Sequence, residues 1–77
     1  MSLNFYPNPV KNYLTIELYE LTGITDLTIF NVDGIELLEQ PITEHKTNID
    51  IRNWPQGVYF LKVTNERNVT VCKIIKE

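Results

Sequence analysis

From Tyr13 to Tyr19 apolar and polar side chains alternate, with Leu14, Ile16 and Leu18 on one side and Tyr13, Thr15, Glu17 and Tyr19 on the other. A period of two is the mark of a half-buried strand. Leu3 to Tyr6 predicts a short strand before it, closed by Pro7-Asn8-Pro9 because each proline lacks an N–H and pushes its predecessor toward extended geometry. That segment reads as a rigid opening corner, held by fixed φ and local side-chain bonds. Thr22-Gly23 breaks the alternation, and Ile24 to Phe30 resumes it with Leu27 and Ile29 inward. Asn31-Val32-Asp33-Gly34 predicts a hairpin turn, since Asp-Gly readily supplies positive φ, and Ile35 to Glu39 is the returning strand. Gln40 to Lys46, with Pro41 inside it, reads as a longer connection that crosses between sheets. Thr47 to Ile51 then points Ile49 and Ile51 inward.

The longest β-type run follows the turn at Trp54-Pro55-Gln56-Gly57. It carries Tyr59, Leu61 and Val63 on one face and Val58, Phe60 and Lys62 on the other, a two-sided apolar pattern that suits a central strand. A polar loop, Asn65-Glu66-Arg67-Asn68, leads to a last strand from Val69 to Lys76. About seven short strands with turn signals between them predict an all-β chain folded as an immunoglobulin-like antiparallel β-sandwich. A small open barrel is the alternative. Composition agrees: the chain has no alanine and 23 Val, Ile and Thr residues, side chains that lose rotamer freedom in helices and pack well on a pleated surface.

With 77 residues there is room for one core. Met1-Ser2-Leu3 reads as a leader outside the domain proper, which leaves 4–77 as the domain and implies a piece of a longer protein. The single Cys72 excludes an internal disulfide, and its redox compartment is left open. Cys72 and the lone His45 form no metal-ligand spacing, so neither a metal nor another cofactor is expected. A net charge of −3 supplies no footprint for nucleic acid. No apolar run approaches the roughly 20 residues of a membrane-spanning helix.

Candidate chemistry is sparse. The only serine, Ser2, lies in the leader, and His45 sits in a polar connection without a partner. Cys72 reads as a small buried hydrophobe. Glu36 and Glu39, or Asp26 and Asp33, read as solvated strand faces rather than an acid and base across a cleft. These features predict no enzyme. Tyr6, Tyr13, Tyr19 and Trp54 are candidates for an exposed aromatic platform suited to sugars or a protein surface, although core and edge packing would also account for them. Asn68-Val69-Thr70 matches the glycosylation acceptor pattern and is read as coincidence.

Tyr6-Pro7-Asn8-Pro9 before a strand, the Asp33-Gly34 hairpin, Gly57-Val58-Tyr59 and the closing Cys72-Lys73-Ile74-Ile75-Lys76 form an ordered set. Together they resemble the C-terminal sorting domain of the type IX secretion system of Bacteroidetes, over essentially Asn4 to Glu77. The resemblance implies a non-catalytic address at the end of a cargo protein. It implies reading by the outer-membrane type IX machinery, removal by a sortase-like protease near or upstream of Asn4, and export through the periplasm to the cell surface or beyond. Gly57, Tyr59, Lys62, Lys73 and Lys76 are then the recognition candidates, and Pro7, Asn8, Pro9, Asp33 and Gly34 the structural turn motif. In this reading Tyr59 anchors the strand and the three lysines project from the last hairpin toward acidic receptor groups. A surface adhesion or carbohydrate-binding module is the competing function. Cargo identity and oligomeric state are not encoded in these residues.

Overall fold

Period-two patterning produces seven strands: β1 (Leu3–Tyr6), β2 (Tyr13–Leu18), β3 (Asp26–Asn31), β4 (Glu36–Pro41), β5 (Lys46–Asp50), β6 (Gly57–Thr64) and β7 (Val69–Lys76). This computed structural model describes residues 2–21 and 23–77, so Met1 of the leader and Thr22 of the Thr22-Gly23 break lie outside the described residues. The strands pair antiparallel in two sheets, ordered β1-β2-β5 and β4-β3-β6-β7. Crossings between sheets occur from β2 to β3, from β4 to β5 and from β5 to β6, so neither sheet is built from one continuous stretch of chain.

The inward residues meet between the layers. Leu14, Ile16, Leu18 and Ile49 of the three-stranded sheet, with Ile51 just beyond β5, face Leu27, Ile29, Tyr59, Leu61, Val63 and Ile74 of the other. Each such side chain contributes about 1.5–3 kcal/mol on burial, which is how a domain this small folds with a lone cysteine and no disulfide. Leu3, read as part of the leader, is half-buried in β1 and packs against this core.

Three departures from the sequence reading have local causes. The strand predicted from Ile24 begins at Asp26 and leaves Ile24 72% exposed, because Thr25 turns its carbonyl to the Ile42 N–H at 2.8 Å and closes the end of the sheet first. Gln40 and Pro41 belong to β4 rather than to the connection. β4 also carries one extra residue: Ile29 faces Leu38 and Phe30 faces Glu36, so Leu37 is a bulge. Finally, β6 is central within its sheet, but no layer covers its second face. Val58 and Phe60 stay half-buried there, so the two-sided apolar pattern marks an open surface rather than an interior strand.

Candidate functional site

The turn that opens β6 is built around Tyr59. Its ring is buried, its hydroxyl donates to the Pro55 carbonyl at 2.6 Å, and Trp54 lies against it with ring centroids 5.2 Å apart at 41°. The Trp54 N–H adds a bond to the Ile51 carbonyl at 3.1 Å. Gly57 follows at φ +148°, a state that residues with side chains rarely adopt. Space around it is open, so conformation rather than crowding demands glycine there. From this turn β6 and β7 run in unbroken register, from Gly57 opposite Lys76 to Thr64 opposite Val69. At the far end Asn65 Oδ1 accepts from the Arg67 and Asn68 N–H groups at 2.8 and 2.7 Å and rigidifies the loop.

Over β6 and β7 the outer face of this sheet is apolar with two cations in it, while on β3 and β4 the same face carries Asp26, Thr28 and Glu39. Phe30, Val58 and Phe60 lie half-buried beside Val69, Val71 and Ile75, and Val71 is 60% exposed. Lys62 stands opposite Val71 and Lys73 opposite Phe60, which places the two lysines on one diagonal of the same face. Among the described residues the salt bridges are Lys46 to Glu17 and Arg52 to Asp50, both around β5, so neither Lys62 nor Lys73 is paired. Lys76 does not join them. As an even-numbered residue of β7 it turns inward with Ile74, is only 7% exposed, and donates from Nζ to the Glu77 carbonyl at 2.7 Å. The expected trio of projecting lysines is therefore a pair.

The Pro7-Asn8-Pro9 corner reaches the same hairpin. Asn8 Oδ1 accepts from the Ile75 N–H at 3.0 Å and Asn8 Nδ2 donates to the Lys73 carbonyl at 3.3 Å. The fully buried Val10 donates its N–H to the Ile75 carbonyl and accepts from the Glu77 N–H, both at 2.8 Å, in a parallel bridge to β7. Flanking prolines have no N–H to offer, so the single amide of Asn8 supplies both donor and acceptor. This clamp was invisible to local turn chemistry because its partner lies 65 to 67 residues away. Asp33-Gly34 shapes the β3–β4 turn, where Gly34 takes φ +81° and Asn31 Oδ1 accepts from the Asp33 and Ile35 N–H groups. The registers Asn31 to Tyr59, Gly57 to Lys76 and Val10 to Lys76 put this turn, the Gly57 turn and the corner at one end of the sandwich.

The opposite outer face, on β1-β2-β5, is polar. Tyr6, Tyr13 and Tyr19 share it, whereas Trp54 is held in its turn by Tyr59 and takes no part in a platform with them. Tyr6 donates to Glu17 Oε1 at 2.6 Å, and Lys46 Nζ stands 3.3 Å from the same oxygen. These bonds, the one from Tyr6 foremost, hold the Glu17 carboxyl below its ordinary range, and Glu17 in turn raises Tyr6 and Lys46. Arg52 forks onto Asp50 at 3.0 and 2.8 Å, lowering that carboxyl, while its guanidinium lies 5.2 Å from the Tyr13 ring centre. His45 donates from Nδ1 to the Leu18 carbonyl at 2.8 Å. Burial pushes the half-buried Cys72 thiol above its ordinary range. Among the described residues no three His, Cys, Asp or Glu side chains gather as a metal site, and Glu36, Glu39, Asp26 and Asp33 do not converge on a cleft.

Residues 4–77 are matched by the family model described as the secretion system C-terminal sorting domain. Among solved structures the chain is similar to a DUF3244 family protein of Bacteroides vulgatus, described as having an immunoglobulin-like β-sandwich fold. The TM-score is 0.78 at 19% identity, over 99% of this chain and 95% of that one. At that identity the likeness speaks for the fold, and it agrees with the sandwich predicted from the alternation. No curated protein matches the chain.

Proposed function

Because the chain belongs to the secretion system C-terminal sorting domain family, we propose that it is the address by which an attached cargo is exported, with the β6–β7 hairpin as its reading surface. The family gives the coarse role: a sorting signal for type IX secretion, in a generally non-catalytic family. That role implies interaction with the type IX machinery and export to the cell surface or extracellular space. In our reading the contact is with outer-membrane components of that machinery, and a sortase-like protease then separates cargo from domain. The match over residues 4–77 is the observation that carries this proposal.

The arrangement of the hairpin supports the finer part. Tyr59 and Gly57 fix the turn, and the open face they brace bears Lys62 and Lys73 free of salt bridges amid aliphatic side chains, a surface suited to an apolar partner with carboxylates. Lys76 supports the fold from within. A cut upstream of β1 also fits, since Leu3 to Tyr6 are paired with β2 and unsuited to an extended protease cleft while folded.

The test is a periplasmic reporter carrying an N-terminal signal peptide, fused to residues 4–77 in a type IX-competent host. The reporter is expected outside the cell, and removal of β7 is expected to retain it. A reporter that stays periplasmic with the intact domain refutes the address reading. The Tyr6, Tyr13 and Tyr19 face favours one alternative, an adhesion or glycan-binding module, which would show as affinity of the isolated domain for glycans abolished by Tyr13→Ala.

A further inference from the structure

Resting on that reading, we propose that the outer edge of β7 from Val69 to Lys73 is a strand-addition site for an extended, carboxylate-bearing segment of a partner protein, and that the Asn8–Val10 corner closes the remainder of that edge.

The backbone of β7 alternates between its neighbours. Ile75 gives both N–H and C=O to the corner, and Lys73 gives its C=O, so odd-numbered residues turn their polar groups away from β6. By the same parity the N–H and C=O groups of Val69 and Val71, and the N–H of Lys73, face outward, and among the described residues they take no bond. The stretch is five residues, about 17 Å of ladder.

The other sheet edges are blunted in the ways native proteins use. β1 has four residues and ends at Pro7, β5 has five and bears Lys46 and Asp50, and β4 carries a bulge at Leu37, two glutamates and Pro41. β7 has eight residues in uninterrupted register with neither proline nor bulge, and Val69 and Val71 are exposed on it. The corner protects only its last third. An edge left open in this way accepts main-chain hydrogen bonds from an extended peptide, with side-chain pockets adding selectivity.

The side chains specify the occupant. Beside the open edge lie two valines and the unpaired Lys62 and Lys73. A segment that alternates aliphatic and acidic residues puts its carboxylates on the face of Lys62 and Lys73 and its aliphatic side chains on the other face, beside the half-buried Cys72 that packs against the core. Asn8 sets where such a strand stops, because continuing past Lys73 requires it to displace the amide from Lys73 and Ile75.

The probe is a synthetic ten-residue peptide alternating valine and glutamate, titrated into the whole chain and followed by amide hydrogen exchange, with a lysine-for-glutamate peptide as control. Slowing of Val69, Val71 and Lys73 exchange with the acidic peptide alone is expected. Lys62→Gln/Lys73→Gln weakens binding by about tenfold, two exposed pairs being lost. Val71→Pro removes an outward donor without touching the β6 ladder, so it keeps the fold, abolishes peptide protection and stops export of the reporter. Should Val71→Pro unfold the domain, Lys62→Glu/Lys73→Glu replaces it in both assays.

Protection that appears instead at Phe30 and Phe60, or export that survives in folded Val71→Pro, overturns the proposal, as does equal binding of the lysine peptide. Failure of the unmodified domain to export strikes the address reading, while the exchange measurement still decides the edge.

Discussion

Tyr59→Ala removes a ring that is 5% exposed, its bond to the Pro55 carbonyl at 2.6 Å and its packing with Trp54. Truncating a buried aromatic side chain costs about 3–5 kcal/mol, and the hydroxyl bond adds about 0.5–1.5 kcal/mol. A core of this size supplies only about 3–5 kcal/mol in total. The variant is therefore expected to be largely unfolded at 37 °C, while Tyr59→Phe, which keeps the ring, stays folded with its midpoint lowered by about 4–8 °C per kcal/mol lost. Urea and thermal unfolding followed by Trp54 fluorescence measure both, because Trp54 reports on the ring it touches. The Trp54→Ala/Tyr59→Ala double-mutant cycle, followed by circular dichroism because Trp54 is the chain's single tryptophan, isolates their coupling, expected at about 0.5–1.5 kcal/mol. A Tyr59→Ala domain within about 1 kcal/mol of the unmodified chain would refute the argument that this ring braces the turn. So would a Tyr59→Phe domain as damaged as Tyr59→Ala, since the hydroxyl would then outweigh the packing.

Gly34→Ala places a side chain at φ +81° with open space around it, so the penalty is conformational, about 1–2 kcal/mol by urea titration, with no change in fold by circular dichroism. The Glu17 and Asp50 carboxyls are held below their ordinary values of 4.5 and 3.8 by Tyr6 and by Arg52 respectively. Their contribution is complete above those values and disappears as pH falls through the lowered folded-state pKa values. Acid titration of thermal midpoints should accordingly show stability declining below those values, and Glu17→Gln/Asp50→Asn should flatten that limb by lowering neutral stability to the acid level, a small change because both pairs are exposed.

Much of the sandwich was legible because one period governs it. β1 and β7 have the bounds read from the sequence, and the inward set from Leu14 to Val63 follows from parity. The same parity, carried to the end of β7, puts Lys76 inside with Ile74; its charge argued for the surface, but a long stem lets the ammonium reach the Glu77 carbonyl from a buried position. Trp54 stands in a turn, where no period applies, so its separation from the three tyrosines had no sequence signal. Ile24 continued an apolar pattern past the point where Thr25 bonds Ile42, a pairing set by tertiary structure. The Asn8 clamp was least accessible of all. Turn propensity describes neighbours, and the groups that Asn8 satisfies come from the other end of the chain.

The bridge from Val10 to Ile75 and Glu77 also fixes the order in which the domain is completed as it is made. Closing so long a loop costs entropy before any contact rewards it, and sandwich topologies accordingly fold in milliseconds to seconds. At synthesis rates of about 5–20 residues per second, Val10 leaves the ribosome roughly 3–13 s before its partners exist. Through that interval the opening corner has nothing to dock against and the sheet lacks its last strand. The nascent domain is thus held short of its native state until the final residues emerge, a delay written into its connectivity, during which it is available to whatever binds unfolded chains.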